Sequence, residues 1–228
     1  MKLFFGFFAV AILFISCSHS FRSNDAKEGC IVYDISYIDS EENNPLISLL
    51  PANMTLNFKD NNTITKIEGY LGIFRFSYLC NAKLHQSGTL LQILDKRYIY
   101  IDKEGAMGFG YNALDGMQIN KTDETKEIIG FKCKKAIVTY NDPTPKTVEL
   151  YYTDEIAIEN PNANNPFKDI DGVLLQFEVK MNNIGMKFKA NRLEKIKIKD
   201  MEFEIPKGYK KITKEKMAEI MNSFIPHK

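Results

Sequence analysis

From Cys30 onward, apolar residues recur at every second position, and that period governs what the chain can fold into. Ile31, Tyr33, Ile35 and Tyr37 share one side of a strand, and Phe74, Phe76 and Tyr78 do the same against Arg75 and Ser77. Ala136, Val138 and Tyr140 alternate with Lys135 and Thr139, and Val148, Leu150 and Tyr152 with Thr147, Glu149 and Tyr151. Val173, Leu175, Phe177 and Val179 oppose Gln176, Glu178 and Lys180, and Met186 and Phe188 oppose Lys187 and Lys189. Successive side chains of a strand point to opposite faces, so this pattern marks antiparallel strands with one apolar and one wet face. Tyr98 and Tyr100 alternate with Ile99 and Ile101, as in a strand covered on both faces. Lys195–Lys199, with Ile196 and Ile198 between, reads as one more strand, either a lysine-guarded edge or a face for anionic head groups.

Turn residues punctuate these runs at Asp60-Asn61-Asn62, Asp102-Lys103-Glu104-Gly105 and Asn182-Asn183-Ile184-Gly185, and the 141–145 segment breaks the pattern with two prolines. Glu159 to Asp171 is Asn- and Pro-rich and reads as a long surface crossing. Helical spacing is confined to Met217, Ile220, Met221 and Phe224, with Thr213 placed to cap, and to a short apolar run at 45–50. The expectation is a mainly β fold: roughly ten strands in one curved antiparallel sheet with a C-terminal helix, a single domain over 30–228. Two helices are too few to cover such a sheet. Either it curls on itself or part of its inner face is open to a ligand.

The N-terminus reads as an address. Residues 3–15 form an apolar run behind Lys2, too short for a comfortable bilayer span and the size of a signal-peptide core. Ser16-Cys17-Ser18 follows and looks like a bacterial lipobox, which implies a signal peptide over 1–16, acylation of Cys17 and a tether over 17–29. A plain secretory signal with an incidental Cys17 is the alternative. Acyl chains would hold the protein to a membrane without spanning it. With no retention signal at Ser18 and no acidic run after Cys17, the expected place is the periplasmic side of the outer membrane. Cys30, Cys80 and Cys133 would then remain, an odd number that allows one intrachain bridge. Cys80 with Cys133 is one candidate pair, and spacing does not decide the pairing.

The stretch from Glu124 to Asn191 contains Ile129-Gly130-Phe131-Lys132-Cys133, Tyr152-Thr153-Asp154-Glu155-Ile156 and Asp169-Ile170-Asp171-Gly172-Val173-Leu174. It resembles the GLPGLI-type and related domain-of-unknown-function lipoproteins of Bacteroidota. These are similar to the LolA-like fold, an incomplete antiparallel barrel with helices plugging its open side. The resemblance implies no catalytic residues; by fold analogy it implies a half-barrel that holds acyl chains or other hydrophobic ligands.

Chemistry motifs are sparse. No nucleophile elbow, H-E-x-x-H or P-loop is present. Of three histidines, His19 falls in the tether and His227 is penultimate, which leaves His85 for the folded body. Gly105, Gly108 and Gly110 do not lead from a strand into a helix and read as a flexible hairpin. Asp169 and Asp171, near Asn164 and Asn165, lack calcium-loop spacing and read as a solvated loop. No cofactor is expected. Thirty Lys and Arg against 29 Asp and Glu leave a net charge of +1, without the basic excess of a nucleic-acid binder. What stands out is the aromatic inner face. Phe74, Phe76, Tyr78, Tyr98, Tyr100, Val148, Leu150, Tyr152, Leu175, Phe177, Met186 and Phe188 are the candidate ligand-lining residues, with plain core packing as the alternative. The expectation is a non-enzymatic envelope lipoprotein that binds a lipid or other hydrophobic ligand. The other reading is an interaction module with a packed core, docking an envelope protein through the 159–171 loop.

Overall fold

The computed structural model describes residues 27–38, 50–103, 105–111, 117–140, 146–181 and 184–224. The leader, Cys17, His19, most of the 45–50 run, Glu104, the 141–145 break, the Asn182-Asn183 corner and His227 lie outside them.

Among the described residues, twelve strands form one sheet. They are β1 (Glu28–Ile38), β2 (Asn53–Lys59), β3 (Asn62–Glu68), β4 (Phe74–Asn81), β5 (Gln86–Ile93), β6 (Lys96–Ile101), β7 (Gln118–Ile128), β8 (Phe131–Tyr140), β9 (Lys146–Thr153), β10 (Val173–Met181), β11 (Ile184–Glu194) and β12 (Lys210–Lys211). One helix, α1 (Lys214–Phe224), follows. The spatial order is β12-β6-β5-β4-β3-β2-β1-β11-β10-β9-β8-β7. The sheet is therefore two meanders, β1–β6 and β7–β11, stitched by the antiparallel β1–β11 pair, with Ile35 opposite Phe188 and Tyr37 opposite Met186. The edges β7 and β12 do not meet, so the curved sheet stays an open half-barrel, as the alternation implies.

Apart from 195–199, the period-2 runs become the strands they mark, and the strands that lack them have physical reasons. β7 is an edge strand exposed along most of its length, so its sequence carries no apolar stripe. β5 is buried on both faces: Leu90 packs outward and Leu91 inward. β6 has Ile99 outward and Tyr98 and Tyr100 inward, the two-sided burial that its sequence shows.

Three expectations change. Residues 195–199 are not a strand. Past β11 the chain crosses the outer face of the first meander, where Ile198 and Phe203 pack on Ile64, Leu79, Leu90 and Ile99. Its lysines therefore guard no sheet edge. Asp102–Gly105 is not a hairpin: β6 pairs with β12, while β7 lies at the opposite edge. The 159–171 loop is not a surface crossing. Phe167 and Ile170 are each 1% exposed and belong to the main core of the inner face. The cover that the helices could not provide comes from irregular chain.

α1 covers the inner face of the first meander's far flank. Thr213 caps it, its Oγ1 accepting from Lys216 N at 3.2 Å. Met217 and Met221 bury against Phe76, Leu91, Ile93 and Phe109.

Candidate functional site

Between the flank covered by α1 and the flank covered by the 154–172 segment, the inner face is open. A cavity of about 500 Å³ lies there. Its floor is apolar and comes from both meanders: Tyr33, Met54, Ile67, Phe76, Phe177 and Phe188. Phe177 is the hub. Its ring stacks on Phe188 at 5.0 Å and meets Tyr33 and Phe167 edge-on, each at 6.1 Å. Tyr33 Oη donates to Leu174 O at 2.9 Å, so the floor is locked across the β1–β10 gap, and burial pushes its phenol well above the ordinary range.

The roof is the loop 158–165, and its asparagines hold it in place. Asn162 is 3% exposed, and its Nδ2 donates to Ile170 O and Gly172 O, both at 2.8 Å. Asn165 Nδ2 donates to Asn162 Oδ1 at 3.0 Å. Asn164 Nδ2 donates to Ala106 O, and Gly108 N donates to Asn164 O, both at 2.8 Å. Asn61 Oδ1 accepts from Glu159 N. The amides of Asn162, Asn164 and Asn165 are thus bonded to the chain itself. Gly172 is required by close approach: a Cβ there would lie 2.6 Å from Thr153 O. Gly108 likewise sits against the Tyr78 ring, with 2.8 Å left for a Cβ.

The end wall is Tyr78, Cys80, Ser87, Phe109 and Tyr111. Behind it, on β4, β5 and β6, sits a polar group without hydrogen bonds. Tyr78 Oη, Thr89 Oγ1 and both Asp102 carboxylate oxygens are buried and unpaired. The Tyr78 hydroxyl is turned toward Ser87 and Asp102 but reaches neither in ordinary hydrogen-bond geometry. Burial raises the Asp102 carboxyl to about 6, against the opposing pull of Tyr78 and of the Lys214 charge.

Of the twelve candidate lining residues, Phe76, Tyr78, Phe177 and Phe188 line the cavity. The other eight do not. Phe74, Tyr98 and Tyr100 pack in the cluster under α1. Val148, Leu150, Tyr152, Leu175 and Met186 lie in the main core with Ile156, Phe167 and Ile170. Alternation tells which face a residue takes, not which part of that face is roofed. Tyr33 and Met54 belong to the same alternating pattern and line the floor; Thr89 and Asp102 carry no signal in sequence beyond strand and turn. Cys80 and Cys133 do not pair. With Cys30 they are free thiols, and six strands separate β4 from β8 in the sheet. Asp171 bonds Lys121 at 2.8 Å, and no group of three metal-binding side chains occurs among the described residues. No helix among them is long and apolar enough to cross a membrane.

A family model described as N-glycanase peptide, N-terminal domain, matches residues 107–218, which takes in β7 to β11, the outer-face segment and the start of α1. In fold the chain is similar to PNGF-II, solved in the P21 space group, with a TM-score of 0.55 and 17% identity over 86% of this chain. It spans only 33% of that chain's length. LprF from Mycobacterium bovis aligns with 78% of this chain and 91% of its own at a TM-score of 0.30 and 10% identity, too shallow to support anything here. No curated protein matches the sequence.

Proposed function

We propose that this chain is a non-enzymatic, lipid-anchored envelope protein that holds a small amphiphilic or apolar ligand in the cavity of its half-barrel. The observation that carries this reading is the unfilled apolar floor. A cleft of about 500 Å³ opens over the packed aromatic side chains of Tyr33, Phe76, Phe177 and Phe188. Pockets of that size, apolar with a few polar groups, are the usual form of small-molecule sites. The lipobox-like Ser16-Cys17-Ser18 supports the anchor and the periplasm-facing outer membrane as its place.

Native mass spectrometry after gentle extraction tests the reading. Wild-type protein is expected to carry a co-purifying apolar mass released on denaturation. Thr65→Trp, which fills the cavity from β3, and Phe76→Glu, which charges its floor, are expected to lose it while the sheet's circular dichroism is kept. A clean apo mass for the wild type would reject the ligand.

A second reading has its own support. The match to an N-terminal domain and the one-third coverage of PNGF-II favour a module that works beside another protein or domain. An apo wild type that captures a defined envelope partner would establish it.

A further inference from the structure

The cavity changes character along the strands. The exposed residues of its lining are Ala82, His85, Gly105, Glu159, Asn160 and Ala163. They belong to the β4–β5 turn, the chain past β6 and the roof, which Asn61 in the β2–β3 turn holds through Glu159 N. The cavity therefore opens at the end of the sheet where β1 begins and β2 turns into β3. At the far end Met54, Ile67, Phe76 and Val179 line it, each no more than 9% exposed. Between the two ends, the lining on β3 runs from Ile67 through Thr65 and Thr63 toward Asn61. The facing wall runs from Phe76 to Ser87, Gln86 and His85.

Several polar groups at the mouth are already engaged. Asn162, Asn164 and Asn165 hold the roof, the Thr63 hydroxyl faces the Cys80 thiol, and Ser87 faces Tyr78. The side chains of Thr65, His85, Gln86 and Asn160 make no hydrogen bond among the described residues. None of these four is buried, so a ligand that enters the mouth comes within their reach. The charge inventory is as telling. Among the described residues the lining holds one carboxylate, Glu159 at the exposed rim, and no Lys or Arg.

A carboxylate or phosphate head would find no cation here and would meet Glu159. A quaternary ammonium would gain a single exposed partner, worth little in water, and could donate to none of the free groups. Hydroxyls both donate and accept, which suits a threonine hydroxyl and two side-chain amides. Direction follows from the same gradient. A head pushed to the far end would lose its water among apolar side chains with no partner, while the tail stayed wet at the mouth.

We propose that the site takes a single amphiphile with an uncharged, hydroxylated head, its tail over Phe76, Phe177 and Phe188 and its head at Thr65, Gln86 and Asn160. This rests on the cavity being a ligand site and adds the polarity and direction of the ligand.

Monooctanoylglycerol, octanoate and octyltrimethylammonium, titrated at neutral pH into the full chain held in amphipol with empty amphipol subtracted, test the head. The glyceride is expected to bind about fivefold tighter than either ion, the worth of one ordinary hydrogen bond. Thr65→Val and Gln86→Leu, which keep side-chain size, are each expected to weaken the glyceride severalfold and the ions little. Photolabelling of the wild type reads the direction. A diazirine at the chain end of the glyceride is expected to mark Phe76, Phe177 or Phe188, and one beside the ester to mark 82–87 or 158–161. Octanoate binding as tightly as the glyceride, glyceride affinity unchanged in both variants, or the reverse labelling pattern overturns the proposal and leaves the cavity as a ligand site. No saturable binding of any probe to the wild type rejects both.

Discussion

Asp102 lies at the end of β6 with neither carboxylate oxygen paired, and this has a stability cost of definite sign. Its carboxyl rises from an ordinary 3.8 to about 6 in the fold. Between those values the folded state holds a proton that the unfolded chain has released. The fold therefore gains stability as pH falls from about 6 toward 3.8 and carries the full penalty above 6. A shift of this size corresponds to about 3 kcal/mol at neutral pH, of which part is lost to the unpaired amide that a replacement leaves. Asp102→Asn is expected to raise the urea midpoint at pH 7.5 by the equivalent of about 1–2 kcal/mol, with the gain shrinking below pH 5. Equal midpoints for both proteins across that range would show that burial does not strain this carboxylate.

The loop between β9 and β10 has no regular structure, yet it does the work of a helix layer. Phe167 and Ile170 fill the inner face, and Asn162 ties the backbone that carries them. Asn162→Ala leaves two buried carbonyls, of Ile170 and Gly172, without their donor. It is expected to cost about 2 kcal/mol in chemical denaturation and to loosen the cavity roof before the sheet. Faster amide exchange at 160–171, with β1 and β11 still protected, is the matching signature; an unchanged midpoint would mean that Pro161, Pro166 and Phe167 suffice to hold the loop. The other irregular cover, Ile198 to Phe203, packs on the outer face by the same logic, with lysines 59 and 66 pairing Asp200 and Glu202 at its rim.

For the whole molecule, the β1–β11 seam decides whether the two meanders behave as one body. Free thiols report on both sides of it: Cys80 in the first meander, Cys133 in the second, Cys30 on the seam strand. Burial pushes all three to about 11, so each is poor at forming the thiolate that alkylating reagents attack. The main core draws residues from β1, β2, β3 and from β7 through β11, so neither half buries its apolar face alone. The three thiols are expected to become reactive together, at the same urea concentration at which the far-ultraviolet signal is lost. Cys133 labelling ahead of Cys80 would reveal a second meander that opens by itself.

Face assignment was legible in the sequence because strand geometry forces a period of two and burial of one face makes that period apolar. The alternation of Ile31 to Tyr37, Phe74 to Tyr78 and Val173 to Val179 specified strands and their inner sides, and helical spacing with Thr213 specified α1. The edge strand β7 and the doubly covered β5 were hidden because their environment removes the contrast, whereas the two-sided β6 was legible in Tyr98 to Ile101. The cavity was decided by tertiary structure alone. Which stretch of a continuous inner face stays open depends on where the 154–172 loop and α1 come to rest. Those positions follow from contacts such as Asn162 with Gly172 and Met217 with Leu91 and Phe109, between residues that local pattern does not connect. The buried polar corner at Tyr78, Thr89 and Asp102 is of the same kind: three ordinary strand and turn residues come together only when β4, β5 and β6 lie side by side and water is shut out.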